Sequence, residues 1–89
     1  MSIVEEVDLP SRLNISEARE IVGKLRNVDV LHLKNDFVDI KIVKFTSPVE
    51  LYLVFGEKYV VDDDCKGSWV DILHVFDGLE DLAWFLNGL

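Results

Sequence analysis

The apolar residues of this chain change their repeat distance near Val28, and that change restricts the fold more than any other feature. Ile15, Ala18, Ile21, Val22 and Leu25 recur at helical intervals, with Val28 at the edge of the same stripe. At about 100° per residue they line one face of a helix. Glu17, Arg19, Glu20, Lys24 and Arg26 fall on the other face, and Glu20 to Lys24 has the favourable i,i+4 orientation. Asn14 or Ser16 can cap the start, and Asn14 with Glu17 has the spacing of a capping box. Burying the larger side chains of this stripe is worth on the order of 1.5–3 kcal/mol each, so the helix needs a surface to lie on.

The next segment supplies it. Val28 to Leu33 reads as a strand, closed by the polar turn Lys34-Asn35-Asp36. Phe37 to Phe45 is a longer strand, with Val38, Ile40 and Ile42 on one face and Phe37, Asp39, Lys41, Val43 and Phe45 on the other. Thr46-Ser47-Pro48 breaks it. Val49, Leu51, Leu53 and Phe55 then alternate with Glu50, Tyr52 and Val54, and Leu51 and Leu53 are assigned to the inner face. Gly56-Glu57-Lys58 is expected to close a hairpin onto Tyr59 to Asp62. Residues 3 to 9 add a short strand ended by Pro10. Successive tight connections imply an antiparallel meander.

The end of the chain reads as helical. Ser68 with Asp71 starts a segment that places Trp69, Ile72, Leu73 and Phe76 on one side; Asp77 with Glu80 starts a second, with Leu79, Leu82, Ala83, Phe85 and Leu86 together. Gly78 permits a sharp turn between them. The expected order is (β)-α-β-β-β-β-α-α. This is a two-layer α+β fold with an antiparallel sheet of about four or five strands, one N-terminal helix and two C-terminal helices. The expected core is Ile21, Val22, Leu25, Ile40, Leu51, Leu53, Ile72, Phe76, Leu82 and Leu86. No repeat, linker or low-complexity tract divides residues 1–89, so they are expected to form a single domain. At 49% apolar residues the chain can build a core and is not of the disordered class. A mean hydropathy of +0.20 in so short a chain suggests apolar surface left over for a partner.

Charge narrows the partners. Seventeen acidic against nine basic residues give a net charge of −8, which opposes direct binding to DNA or RNA. The only loose group of cations, Lys34, Lys41 and Lys44, is interleaved with Asp36 and Asp39. An acidic surface suits a basic protein partner, including a nucleic-acid-binding one whose groove this chain would occupy; it also simply confers solubility. Cys65 is alone, so no intramolecular disulfide and no cysteine-based metal cage is expected. The N-terminus lacks the pattern of a signal peptide and no apolar run approaches a membrane span, so the expected location is the cytoplasm. The absence of Gln, with Met only at position 1, follows a trend of proteins from hot environments.

Few constellations carry chemistry. Asp62-Asp63-Asp64 with Gly67 has part of the spacing of an EF-hand loop. Lys66 and Leu73 then occupy positions that must donate oxygen, so that reading fails. A looser cation site at the triplet, or a solvated loop before a helix, remain as readings. Cys65 and His74 are the ingredients of a thiol nucleophile, but three carboxylates just before Cys65 would raise its pKa. The aromatic residues say more. Trp84 falls outside the apolar arc of the last helix, between Glu80 and Asp81, and Trp is enriched at binding hot spots; packing against a neighbouring loop is the alternative. Phe37, Val43 and Phe45 lie opposite Val38, Ile40 and Ile42, so that strand is apolar on both faces.

The reading that follows is a small acidic, non-enzymatic protein-protein interaction or regulatory module. It is expected to self-associate as a homodimer or to bind another protein, with antagonism of a basic partner as one version. Its partner-binding candidates are Trp84, Phe37, Val43, Phe45, Asp62, Asp63 and Asp64, and no cofactor is expected. The alternative is a small metal-dependent or thiol enzyme built around Asp62, Asp63, Asp64, Cys65 and His74.

Overall fold

The computed structural model describes residues 2–89. Strand β1 (Val4–Asp8) leads to helix α1 (Ile15–Gly23), which tightens into a 3-10 turn over Lys24–Arg26. Strands β2 (Val30–Lys34), β3 (Val38–Phe45), β4 (Leu51–Val61) and β5 (Gly67–Phe76) follow, and helix α2 (Leu79–Asn87) ends the chain. The five strands form one sheet in sequence order. β1 runs parallel to β2, across the α1 crossover, and the remaining pairs are antiparallel. The fold is therefore mixed α+β, and its sheet is not wholly antiparallel as expected.

Helix α1 starts where its capping residues put it. The Asn14 carboxamide oxygen accepts the Glu17 backbone N–H at 2.8 Å, and the Glu17 carboxylate accepts the Asn14 N–H in return. Two of the four amides that a helix start leaves unpaired are satisfied in this way. Lys24 does not pair with Glu20; its ammonium reaches Glu5 on β1 at 3.0 Å. Ala18, Ile21, Val22 and Leu25 are buried together with Leu82, Ala83 and Leu86 of α2. Both helices lie on one face of the sheet, whose inward side chains are Leu31, Leu33, Val38, Ile40, Ile42, Tyr52, Val54 and Ile72. No side chain in this core is charged.

Three further sequence expectations are overturned. The first is the hairpin at Gly56-Glu57-Lys58, because β4 runs unbroken from Leu51 to Val61. Gly56 is there because the β3 backbone passes close by: a Cβ on it would collide with the Asp39 carbonyl and the Ile40 Cα. Its φ of +145° is one that side-chain-bearing residues rarely adopt. A glycine inside a strand can mark such an approach as well as a turn.

The second is the helix from Ser68, because residues 67–76 are strand β5. Val70, Ile72 and Val75 are β-branched, and Trp69 and Phe76 are aromatic, a composition that suits a strand. The segment is apolar on both faces, so its hydrophobic residues match a helical repeat as well as an alternating one. Only one C-terminal helix remains, and Gly78 caps it. The third is the inner face of β4. Tyr52 and Val54 point into the core, and Leu51 and Leu53 point away and are half-buried.

Candidate interaction surface

With both helices on one side, the other face of the sheet is left uncovered. Cross-strand register arranges its outward side chains in rows. The first row is aliphatic across all five strands: Val4, Val30, Val43, Leu53 and Val75. On one side of it lie Phe45 and Leu51, paired between β3 and β4. On the other side runs a mixed row of Glu6, His32, Lys41, Phe55 and Leu73. Next comes a row with no apolar member: Asp8, Lys34, Asp39, Glu57 and Asp71. Beyond it on the same face lie Phe37, Tyr59 and Trp69, so the acidic row is a band between a larger apolar end and an aromatic group. Leu73 is 71% exposed, Val75 60% and Val4 58%. Single exposed apolar residues are ordinary, but a contiguous patch of them is not.

The polar members of the mixed row are tied down. His32 Nε2 lies 2.6 Å from Asp39 Oδ1, and Nδ1 lies 3.7 Å from Glu6 Oε1. These contacts hold the imidazole between two carboxylates at the border of the apolar end. β5 is an edge strand of ten residues with an exposed outer flank. It carries neither lysine nor proline, the residues that commonly protect sheet edges from further pairing.

Beyond the start of β3, where Val38 pairs with Lys58, the β4–β5 hairpin continues as an arm. The arm contributes to the molecule's length of 45 Å against 24 and 22 Å in the other directions. Tyr59 and Trp69 face each other on it with ring centroids 5.7 Å apart, and Phe37 packs 6.1 Å from Tyr59. Its tip is Asp62-Asp63-Asp64-Cys65-Lys66. The Asp62 carboxylate accepts the backbone N–H groups of Asp64 and Lys66, both at 2.9 Å. Cys65, with φ +60°, occupies the left-handed position of a three-residue hairpin loop. Asp62 therefore has a turn-forming role, and the triplet precedes a strand instead of a helix.

The sequence candidates separate accordingly. Val43 and Phe45 lie in the apolar end of the open face. Phe37 lies on the same face beyond the acidic row, against Tyr59 of the arm, and Asp62, Asp63 and Asp64 sit at the tip of the arm. Cys65 is at the tip too, and His74 is nine residues along the extended β5 strand, on the order of 30 Å away at strand rise. His74 points to the helix side, where its ring lies 4.9 Å from Phe85 and 6.1 Å from Phe76. The thiol and imidazole are thus not brought together. Among the described residues, no group of three or more His, Cys, Asp or Glu side chains is arranged to hold a metal ion.

Trp84 is 51% exposed on α2. Its indole N–H donates to Glu80 at 3.2 Å, and the Arg19 guanidinium lies 5.8 Å from the ring centroid. It also borders an open hollow of about 690 Å³, shared with Leu51, Val75, Phe76 and Phe85 and rimmed by Asp77 and Asp81. Leu51 and Val75 belong to the open sheet face, so this hollow joins Trp84 to the apolar end.

Sequence reasoning missed Val4, Val30, Leu51, Leu53, Phe55, Leu73 and Val75 as surface residues. Their signal was present in the β-branched composition of 70–76 and in the Asp-rich turn at 62–65, which together imply a hairpin there. Among the described residues, no helix is long and apolar enough to cross a membrane. Comparison with known protein families, with curated proteins and with solved structures returned no match.

Proposed function

We propose that this chain is a non-enzymatic protein-interaction module that receives its partner on the open face of its sheet. The observation that carries this reading is the aliphatic row Val4, Val30, Val43, Leu53 and Val75, continuous across five strands, with Val4 and Val75 exposed and the other three half-buried. A two-layer domain normally covers one sheet face and solvates the other with polar residues. Here the solvated face is apolar over its larger part, and removing that area from water is favourable at roughly 25 cal/mol per Å². The centre of recognition is the sheet, and Trp84 forms its rim. The acidic row beside the patch sets orientation and excludes acidic partners. A lone, exposed, unpaired thiol at Cys65 fits a reducing compartment such as the cytoplasm.

A photo-crosslinking amino acid placed at Leu73, on the open face, tests the reading against the same probe at Glu20, on the exposed side of α1. Adducts from position 73 and none from position 20, in an extract of the source cells, are expected. Adducts only from position 20, or none from either, would overturn it.

A further inference from the structure

Resting on that interaction reading, we infer that the partner is a basic protein that adds an extended strand to the free edge of β5, with an arginine set opposite Asp71.

The two edges of the sheet are not alike. β1 is five residues long and three of them, Glu5, Glu6 and Asp8, are acidic, which discourages further pairing. β5 has ten residues, all exposed but Ile72 and Phe76. It pairs with β4 without a break, from Val61 with Gly67 to Tyr52 with Phe76, so no bulge turns its outer side away. On alternate residues that side presents main-chain N–H and C=O groups with no partner in the sheet. Main-chain bonds along such an edge give an added strand its affinity, and side chains at every second position give it specificity.

Register states what the added strand must carry. Each row of the open face ends on β5: the aliphatic row at Val75, the mixed row at Leu73, the acidic row at Asp71 and the aromatic group at Trp69. At the other end of the acidic row, Lys34 stands between Asp8 and Asp39. Glu57 and Asp71 are directly opposite each other, and among the described residues neither makes an ion pair. Like charges placed so oppose each other. A hollow of about 300 Å³ over them is lined by Asp39, Lys41, Phe55, Gly56, Glu57 and Asp71. Lys41 borders its β3 side, so a partner's cation enters from the β5 edge. An arginine opposite Asp71 brings a planar fork of donors, long enough to reach Glu57 across the ~4.8 Å between strands. In an antiparallel strand, the commoner pairing, aliphatic residues four and two positions before that arginine extend the rows of Val75 and Leu73. An aromatic residue two positions after it meets Trp69.

A second copy does not fit this edge. Its own free edges are β5 and β1, and neither contains lysine or arginine. Each chain also carries a net charge of −8, which repels a copy at long range and attracts a basic protein.

The probe is the blocked, fluorescein-labelled peptide Val-Thr-Ile-Thr-Arg-Thr-Tyr, titrated with the parent chain and with Asp71→Lys and followed by anisotropy. The control peptide has Glu in place of Arg. The parent should bind the Arg peptide roughly tenfold tighter than the Glu peptide, and Asp71→Lys, which faces Glu57 and should fold as the parent does, should reverse that order. Methylating the backbone nitrogens of one alternate set of peptide residues should abolish binding, and methylating the other set should not. Equal binding of the Arg and Glu peptides would overturn the role of Asp71, and equal tolerance of both methylation patterns would overturn strand addition. A parent that takes up neither peptide at about 1 mM would overturn the whole proposal; if that parent also sediments as a dimer, the edge belongs to a second copy. In that event, adducts from the Leu73 probe would leave the interaction reading standing, and their absence would remove both.

Discussion

Arg19 of α1 grips Glu80 of α2, 61 residues further along the chain, with Nε donating to one carboxylate oxygen at 3.1 Å and Nη2 to the other at 2.6 Å. The same carboxylate accepts the Trp84 indole N–H, so one group ties α1 to α2 and orients the exposed indole. The hydrogen bond from Arg19, then its charge and the bond from Trp84, hold the Glu80 carboxyl below its ordinary pKa. A carboxyl depressed in the folded state contributes stability above its unfolded pKa and loses it as pH falls through the folded one. The clamp should therefore persist through mildly acid solution and release only below the ordinary carboxylate range. Carboxyl NMR titration should give Glu80 a depressed midpoint, and Arg19→Gln should raise it. The pair is exposed, so its effect on global stability should be small.

Tyr52 shows the opposite displacement. Its ring is in the core and its hydroxyl donates to Glu50. Burial first, then the bond to the Glu50 carboxylate and its charge, push the phenol up to about 12. A group whose neutral form is favoured in this way contributes stability that is fully present below its unfolded value of 10.0 and is lost as pH rises towards 12. Tyrosinate absorbance should show one component appearing only near the top of that window. Tyr52→Phe should remove it. A component that persists in Tyr52→Phe would assign it elsewhere.

The two faces of the sheet should respond differently to truncation. Ile40 is fully buried under the helices, and Ile40→Ala should cost about 2–5 kcal/mol, the range for a cavity in a packed core. Leu53 is half-buried on the open face, and Leu53→Ala should cost about 1 kcal/mol or less when measured on the monomer. Chemical denaturation at low protein concentration checks both. A larger loss for Leu53 than for Ile40 would reverse the assignment of faces.

That assignment is also where sequence and structure part. Helix α1, its capping box and the inner face of β3 were legible because each carries a local signal: a stripe, a cap, or the polar Asp39 and Lys41 set between Val38, Ile40 and Ile42. β4 and β5 carry apolar residues on both faces, so alternation gives no phase. Tyr52 and Leu53 compete for the inside, and only tertiary packing against α2 decides between them. The candidate surface shared that fate, because reading 67–76 as helix removed Leu73 and Val75 from the sheet. The parallel pairing of β1 is set by contacts 26 residues apart, which no local pattern encodes.

Gly56 should tolerate nothing larger. Gly56→Ala forces a rarely populated backbone conformation, worth about 1–3 kcal/mol alone, and adds the collision with the β3 backbone. Thermal melting should show this loss, with the β4–β5 arm becoming more open to amide hydrogen exchange. A variant as stable as the parent would show that β3 and β4 do not approach so closely.

The salt dependence of association discriminates between kinds of partner. Two copies, each with a net charge of −8, repel at long range, and screening relieves the repulsion over ~8 Å at physiological ionic strength. Self-association should therefore tighten as salt rises. Binding of a basic partner should weaken instead, and this is the sign expected. Isothermal calorimetry at low and high salt reads the sign directly.

The most direct test is photo-crosslinking from position 73 in the parent chain beside Leu53→Asp. Leu53 lies in the aliphatic row between Val43 and Val75, and the substitution would place a carboxylate within the apolar part of the open face. The parent should form adducts, and Leu53→Asp should lose them with an unchanged circular dichroism spectrum. A parent that forms none, or a Leu53→Asp variant that forms them as efficiently as the parent, would contradict the account.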